Sequence, residues 1–180
     1  MTPQYLLEQA LARFPILLIK DELKQERYLR DALQFYSQHS GIIMRLQLEQ
    51  PEVLITPKPL AFNGIYNIRG EWCRYRYDEI SNYLHVLDDV RNGPWSMSYF
   101  VNVVQWDLNV DLPNDLEYSL IIDLIESLVG EANAQALSMS KFLANLESME
   151  GKQPSEYHQQ REAVEQQIRE SAQLPDFALI

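Results

Sequence analysis

The residues best suited to metal binding or nucleophilic chemistry are three histidines and a single cysteine. His39, His85 and His158 lie far apart in the sequence, and no two of them have the close spacing that a zinc site usually shows. Cys73 is followed by an arginine, which can lower the pKa of a thiol, but we favour a small core-facing side chain at this position. The sequence therefore predicts neither a metal site nor a cofactor.

Residues 107–111 look like the start of a calcium-binding loop. Such a loop needs glycine at its sixth position and an acidic residue at its twelfth, and these positions hold Leu112 and Tyr118. The sequence also contains neither a nucleophile elbow nor a phosphate-binding loop. We therefore expect that the protein is not an enzyme. A hydrolase or transferase stays open as an alternative, because residues distant in sequence can assemble an active site.

Arginines alternate with aromatic residues in the middle of the chain. Surfaces of this kind stack nucleobases in some proteins and anchor protein–protein interfaces in others. Because the net charge is −11, we favour a protein interface. In this interpretation the arginines bind the acidic region of a neighbouring copy, which would suit a head-to-tail ring. The residues concerned are Arg69, Trp72, Arg74 and Arg76, together with Tyr75 and Tyr77.

The acidic residues are concentrated in the C-terminal part of the chain. Residues 111–180 contain thirteen acids and four bases, whereas residues 1–40 contain five of each. We interpret the excess as a solvated helical surface. The alternatives are a wall that repels nucleic acid and a mimic that occupies a basic partner.

The length of 180 residues fits one domain with a core large enough to fold without disulfides. One cysteine cannot form an internal disulfide, so we expect a reducing compartment. The apolar run at residues 14–19 is too short to span a bilayer and is interrupted by Pro15. No signal-peptide pattern is present, and we expect a soluble protein.

Residues 112–149 are expected to form the helical centre of the molecule. Their apolar residues recur at helical spacing, and Pro113, Asn114 and Asp115 are residues that start helices. Gly130 permits either a break or the close approach of another element. The stretch therefore predicts a pair of helices or one long kinked helix.

Helices are also predicted at both ends of the chain. Thr2 and the proline after it start a helix that ends near Pro15, and a second helix runs from about Asp21 to Gly41. Ser155 is expected to cap a last helix that ends near residue 173. This helix has a narrow apolar seam, and the apolar residues that follow it either fold back or insert into another chain. The seam consists of Tyr157, Val164 and Ile168.

The middle of the chain has the two-residue period of β-strands. Strands are expected at residues 44–48 and 98–106, with a short or edge strand at 53–56. The Asn63-Gly64 pair predicts a two-residue hairpin turn, and a second hairpin is expected around Asn92-Gly93. Residues 78–90 fit either a helix or a strand.

These elements predict a mainly α protein with a β-rich insertion (α+β), built as a helical bundle plus β-hairpins or a meander. We expect a single domain covering residues 1–180. Its parts are the N-terminal helices (1–41), the β-rich insertion (42–110), the helical bundle (111–174) and an apolar C-terminal tail (175–180).

This order of elements resembles the head-to-tail adaptor, or connector, proteins of tailed bacteriophages. The resemblance covers most of the chain: the helical N-terminus, the β-rich stretch, the Leu-Pro-Asn-Asp-Leu sequence at 112–116, the long apolar helix, and the polar last helix with its apolar tail. It implies a structural virion protein of the neck, assembled in the host cytoplasm as a dodecameric ring beneath the portal. DNA would pass through an acidic lumen without sequence-specific binding.

The resemblance also implies roles for individual residues. The last helix and the tail would bind the portal, and the arginine-rich segment would contact the next subunit and tail or neck proteins. No membrane contact is implied. The portal-binding residues would be Tyr157, Val164, Ile168, Phe177, Leu179 and Ile180, and the inter-subunit residues would be Arg69, Trp72, Arg74 and Arg76.

An immunity-type or other inhibitory module is the alternative function. The net charge of −11 on 180 residues would let such a module occupy a basic partner protein. Its complex would be tight, one-to-one and weakened by salt.

Overall fold

A computed structural model gives the architecture. The residues it describes are 1–48, 55–57, 61–69, 77–80, 83–86, 95–114, 116–144 and 152–171. The chain divides into two compact units, a helical unit of Met1–Ser40 with Val103–Ile180 and a β unit of Gly41–Asn102. The predicted fold class, mainly α with a β insertion, is confirmed.

The first two helices follow the predicted start and stop signals. Helix α1 (Pro3–Leu11) begins after Thr2, whose hydroxyl accepts a hydrogen bond from a first-turn amide. Helix α2 (Glu22–His39) is capped by the carboxylate of Asp21. Gly41 follows α2 with a φ of +66°, a conformation that glycine adopts without steric cost and that commonly ends helices.

Helix α3 (Tyr118–Ala144) is one continuous helix through Gly130. The predicted start at Pro113–Asp115 was wrong, because the side chain of Tyr118 holds the preceding residues outside the helix. Its hydroxyl donates to the carbonyl oxygens of Leu112 and Pro113, at 3.3 and 2.8 Å. Because α3 is not broken at Gly130, the prediction that remains for this glycine is the close approach of another element.

Helix α4 (Pro154–Glu170) begins before the predicted cap at Ser155. The residue at its N-cap is Gln153, whose backbone amide donates to the carboxylate of Glu156 at 2.6 Å. Pro154 then occupies the first turn, where its fixed φ suits a helix and its missing N–H costs nothing. The helix also ends at Glu170 rather than near residue 173.

The core of the helical unit draws side chains from all four helices, since each helix turns one apolar stripe inward. Among the helices that the structure describes, none is both long and apolar enough to cross a membrane. The most deeply buried residues are Leu6 and Ala10 of α1, Leu29, Ala32 and Leu33 of α2, Ile121, Leu124, Ile125 and Val129 of α3, and Ile168 of α4.

The loop before α3 belongs to the helical unit, so the β insertion ends before the predicted residue 110. The guanidinium of Arg30 on α2 fixes this loop by donating to the carbonyl oxygens of Val104 and Trp106, both at 2.7 Å. The hydroxyl of Tyr36 accepts a hydrogen bond from the amide of Glu117 at 3.0 Å. These three bonds satisfy backbone groups that lie outside regular structure.

The β unit contains a three-stranded antiparallel sheet in the order β1-β6-β3. Strands β1 (Ile43–Leu48) and β6 (Trp95–Val101) lie where alternation predicts strands, although β6 ends earlier than residue 106. Strand β3 (Phe62–Arg69) is the other neighbour of β6. Met97, Tyr99 and Val101 of the central strand are buried, as period-two alternation requires.

The hairpin predicted at Asn63-Gly64 was wrong, because both residues lie inside β3. The pairing of β3 with β6 shifts register between Phe62 and Gly64. Gly64 has a φ of +157°, which fits an irregularity of the β-bulge kind. An Asn-Gly pair suits a bulge as well as a tight turn, and here β3 pairs with a strand far along the chain.

Three short strands form a second antiparallel sheet in the order β2-β5-β4. Strand β2 (Ile55–Pro57) is an edge strand, as predicted. The ambiguous stretch 78–90 supplies β4 (Tyr77–Ile80) and β5 (Tyr83–Val86), which pair with each other. The hairpin predicted around Asn92-Gly93 lies outside the described residues.

Candidate interaction surface

The apolar seam of α4 is used for packing within the chain. Val164 is 6% exposed and Ile168 is fully buried, and α4 packs chiefly on α3. Side chains covered by their own core offer no surface to a second protein. The portal contact that the resemblance assigned to these two residues therefore has no exposed counterpart in the structure.

Tyr157 lies in a notch formed by Gly130 on α3. A Cβ atom at Gly130 would overlap the Tyr157 ring, so only glycine lets the ring sit this close to the helix. The ring also lies 6.1 Å from that of Phe14, and the ammonium of Lys152 lies 5.3 Å above it. Tyr157 thus joins α4 to α3 and to the chain that follows α1.

The arginines of α4 are engaged by their own chain. Arg161 donates to Glu131 of α3 at 3.1 Å and lies 3.6 Å from Glu165, with 28% of its side chain exposed. The guanidinium of Arg169 lies 5.2 Å from the centre of the Phe35 ring on α2. Arg169 also lies 3.4 Å from Glu165, although 47% of its side chain is exposed.

Three of the four acidic residues of α4 are exposed, and the fourth, Glu165, lies against Arg161 and Arg169. Glu162 has 68% of its side chain in solvent and lies 3.5 Å from the imidazole of His158. Glu156 and Glu170 are also exposed. The outward face of α4 is consequently negative and would repel a phosphate backbone.

The linker between α1 and α2 (residues 12–21) contains an arginine that two carboxylates bind. Arg13 donates to Asp123 and Glu126 of α3, both at 2.6 Å. These hydrogen bonds, first that to Glu126, raise the pKa of Arg13 above its usual value. The clamp fixes the point at which the chain leaves α1.

A buried amide fixes the next part of the linker. Asn133 of α3 is 3% exposed; its Oδ1 accepts from the amide of Leu18, and its Nδ2 donates to the carbonyl oxygen of Ile16, both at 2.8 Å. The side chains of Ile16 and Leu18 are nevertheless 41% and 40% exposed. We call residues 16–18 the linker segment.

Sequence reasoning missed the linker segment because its apolar residues have no helical or strand periodicity. The apolar run at 14–19 is too short for a membrane span and indicates no other element. A polar residue, Asn133, within an apolar helix was the available signal, because a buried amide must find partners. Leu23, in the first turn of α2, is 78% exposed.

The remaining predicted interface residues stay predictions. Arg69 is the last residue of β3, and its side chain lies outside the described part of the structure. The same is true of Trp72, Arg74, Arg76, Phe177, Leu179 and Ile180.

In the described ranges, no group of three or more histidine, cysteine or acidic residues could hold a metal ion. No protein-family model matches the chain, and no curated protein matches it significantly. The site is therefore characterised by its geometry alone: a closed α3–α4 seam, an acidic outer face on α4 and an exposed apolar linker segment.

Proposed function

We propose that this chain is a structural virion protein, a head-to-tail adaptor that forms a ring between the portal and the tail of a tailed bacteriophage. The observation that carries the proposal is the acidic outer face of α4. Arg161 is 28% exposed and bound to carboxylates, whereas Glu162 is 68% exposed. If α4 lines the lumen of the ring, DNA passes it without binding, because like charges repel the phosphate backbone.

The distribution of charge supports assembly from a single kind of chain. A closed ring needs two different surfaces on each subunit that complement each other. The acidic helices provide one, and the arginine-rich stretch at 69–76 in the β unit provides the other. Arg45 on β1 is also exposed.

The first experiment is mass photometry and negative-stain electron microscopy of the purified protein, alone and with isolated portal rings. We expect closed rings, or rings that form on the portal, with one symmetry axis through both. A protein that stays monomeric at every concentration and does not bind portal rings would contradict the proposal.

Charge reversal tests the role of the lumen. Rings carrying Glu156→Lys, Glu162→Lys and Glu170→Lys should retard DNA in a gel at low salt and release it as salt rises. The matched control reverses Glu8, Glu22 and Asp31, which are exposed on α1 and α2. Equal DNA retention by both triple and control variants would exclude a specific role for α4.

The exposed carboxylates of α4 also favour the alternative, an inhibitory module that occupies a basic protein. The two functions differ in stoichiometry and in self-association. A one-to-one complex with a small basic protein, weakened steeply by salt and formed by a monomer, would favour the inhibitory module.

A further inference from the structure

We propose that the linker segment binds residues 176–180 of a neighbouring copy of the chain as an added strand. The inference rests on the proposed self-assembly into a ring. It assigns to a neighbouring subunit the apolar residues that the resemblance assigns to the portal.

The backbone of the linker segment is held open along one edge. A single amide, that of Asn133, bonds both the carbonyl oxygen of Ile16 and the N–H of Leu18. In an extended chain these two groups point to the same side, and those of the residue between them point to the opposite side. Asn133 therefore takes the place of a neighbouring strand on one edge only.

The other edge is unpaired. In the part of the chain that the structure describes, neither the N–H nor the C=O of Leu17 makes a hydrogen bond. Leu17 is partly exposed, and a donor and an acceptor without partners on one residue form the minimal template for strand addition. The segment ends one residue later, where the amide of Lys20 bonds back to the carbonyl oxygen of Leu18 at 3.0 Å.

The side chains on either side of Leu17 are apolar and would bind an apolar ligand. Ile16 and Leu18 are 41% and 40% exposed, although Asn133 below them is buried. Covering them with another apolar side chain would remove that area from water, which is the main favourable term in association.

The sequence Asp-Phe-Ala-Leu-Ile at 176–180 has the right chemistry. An antiparallel bridge between its Ala178 and Leu17 would pair both backbone groups of each residue. The flanking side chains would then meet on one face as apolar cross-strand pairs. Those pairs are Phe177 with Leu18 and Leu179 with Ile16.

The geometry of the bundle favours a neighbouring copy over the same chain. Helix α4 ends where Arg169 lies over Phe35, next to the residue that bonds Glu117 at the start of α3. The linker segment lies at Asn133, sixteen residues along α3, or about 24 Å at the rise of an α-helix. The six residues from Ser171 to Phe177 span at most about 22 Å when fully extended.

Disulfide trapping tests the contact. In a Cys73→Ser background, Ile16→Cys and Leu179→Cys should form disulfides between chains under mild oxidation of the assembled protein. Non-reducing gels should then show a ladder of linked chains. The matched control is Val110→Cys with Leu179→Cys, because Val110 is 48% exposed in the same unit; it should give at least ten-fold less linkage.

Three results would overturn the inference. A disulfide confined to one chain would show that residues 176–180 fold back on their own linker segment. Equal linkage in the control, or none in either protein, would show that no specific contact exists. The gel distinguishes disulfides between chains from disulfides within a chain, because only a disulfide between chains increases the mass.

Deletion of residues 175–180 separates this inference from the proposed function. We expect the deletion, and independently Leu18→Lys, to abolish rings while leaving the helix content unchanged. A mixture of the two variants should form only pairs, since each retains one half of the contact. Rings that persist in the deletion variant would refute the added strand and leave the adaptor proposal standing, whereas absence of rings in the unaltered protein would refute both.

Discussion

Two apolar regions contact α3, and they differ in what covers them. The seam of α4 is closed, with Ile168 fully buried and Val164 6% exposed. The linker segment is held by hydrogen bonds to Asn133 and by the Arg13 clamp before it, yet Ile16 and Leu18 remain near 40% exposed.

This difference in exposure distinguishes a region that stabilises the fold from a region that is available for binding. Periodic apolar residues on a helix find a partner helix and stabilise the fold. Apolar residues fixed in place by backbone hydrogen bonds, without a covering element, contribute little to folding and keep their surface for another protein. The α3–α4 seam is therefore the structural region, and the linker segment is the region we propose for assembly.

The largest expected effect is truncation in the seam. Ile168→Ala should lower the free energy of unfolding of the helical unit by about 2–5 kcal/mol, because it leaves a cavity in a fully buried site. The matched variant Leu18→Ala should change it by less than about 0.5 kcal/mol. Urea unfolding followed by circular dichroism measures both, and equal effects would break the comparison.

A second test uses the notch at Gly130. Alanine normally stabilises a helix relative to glycine by about 0.5–1 kcal/mol, but Gly130→Ala should destabilise by about 1–3 kcal/mol because its Cβ overlaps Tyr157. In a Tyr157→Ala background the same change should become neutral or stabilising. If the sign does not reverse in that background, the ring does not occupy the notch.

Removing the side-chain amide of Asn133 should lower the free energy of unfolding by about as much as the change at Gly130, but its structural effect should be local to the linker segment. Asn133→Ala leaves the amide of Leu18 and the carbonyl of Ile16 without their partner, and should cost about 1–3 kcal/mol. The exposed neighbour Gln135 is the control, since Gln135→Ala should stay within about 0.5 kcal/mol. Hydrogen exchange at Leu18 should accelerate only in the Asn133 variant; unchanged exchange would show that the linker is fixed in another way.

Alkaline pH should produce the smallest effect, and it should act on the seam. Burial, and after it the charges of Glu126 and Glu156, raise the pKa of Tyr157. The folded protein therefore keeps the phenol proton at a pH where the unfolded chain loses it. This contribution to stability is complete below about pH 10, the ordinary pKa of tyrosine, and is lost as the pH rises towards the raised value.

The variant Tyr157→Phe measures that contribution. Urea midpoints between pH 9 and 11 should fall less steeply for the variant than for the unaltered chain. Equal slopes for the variant and the unaltered chain would place Tyr157 outside the coupled groups.

Most of the helical architecture could be predicted from the sequence, because capping residues and apolar periodicity are local signals. Thr2, Asp21 and Gly41 mark the ends of α1 and α2 as predicted. The seam of α4 was likewise visible in the spacing of Val164 and Ile168. The spacing of residues within α4 does not specify whether the seam packs on α3 of its own chain or on a partner.

The features that local sequence patterns did not predict depend on contacts between residues distant in sequence. The Asn63-Gly64 pair lies in a strand because β6 pairs with it across the β unit. The start of α3 depends on the hydroxyl of Tyr118. The linker segment depends on an amide more than one hundred positions away, which no local pattern encodes.

Hydrogen-exchange mass spectrometry of the dilute and the assembled protein tests the central distinction most directly. Peptides covering residues 14–20 should gain protection on assembly, whereas peptides covering residues 157–168 should be protected equally in both states. The opposite pattern, with new protection on α4 and none on the linker, would show that the seam opens to bind a partner and that the linker segment does not.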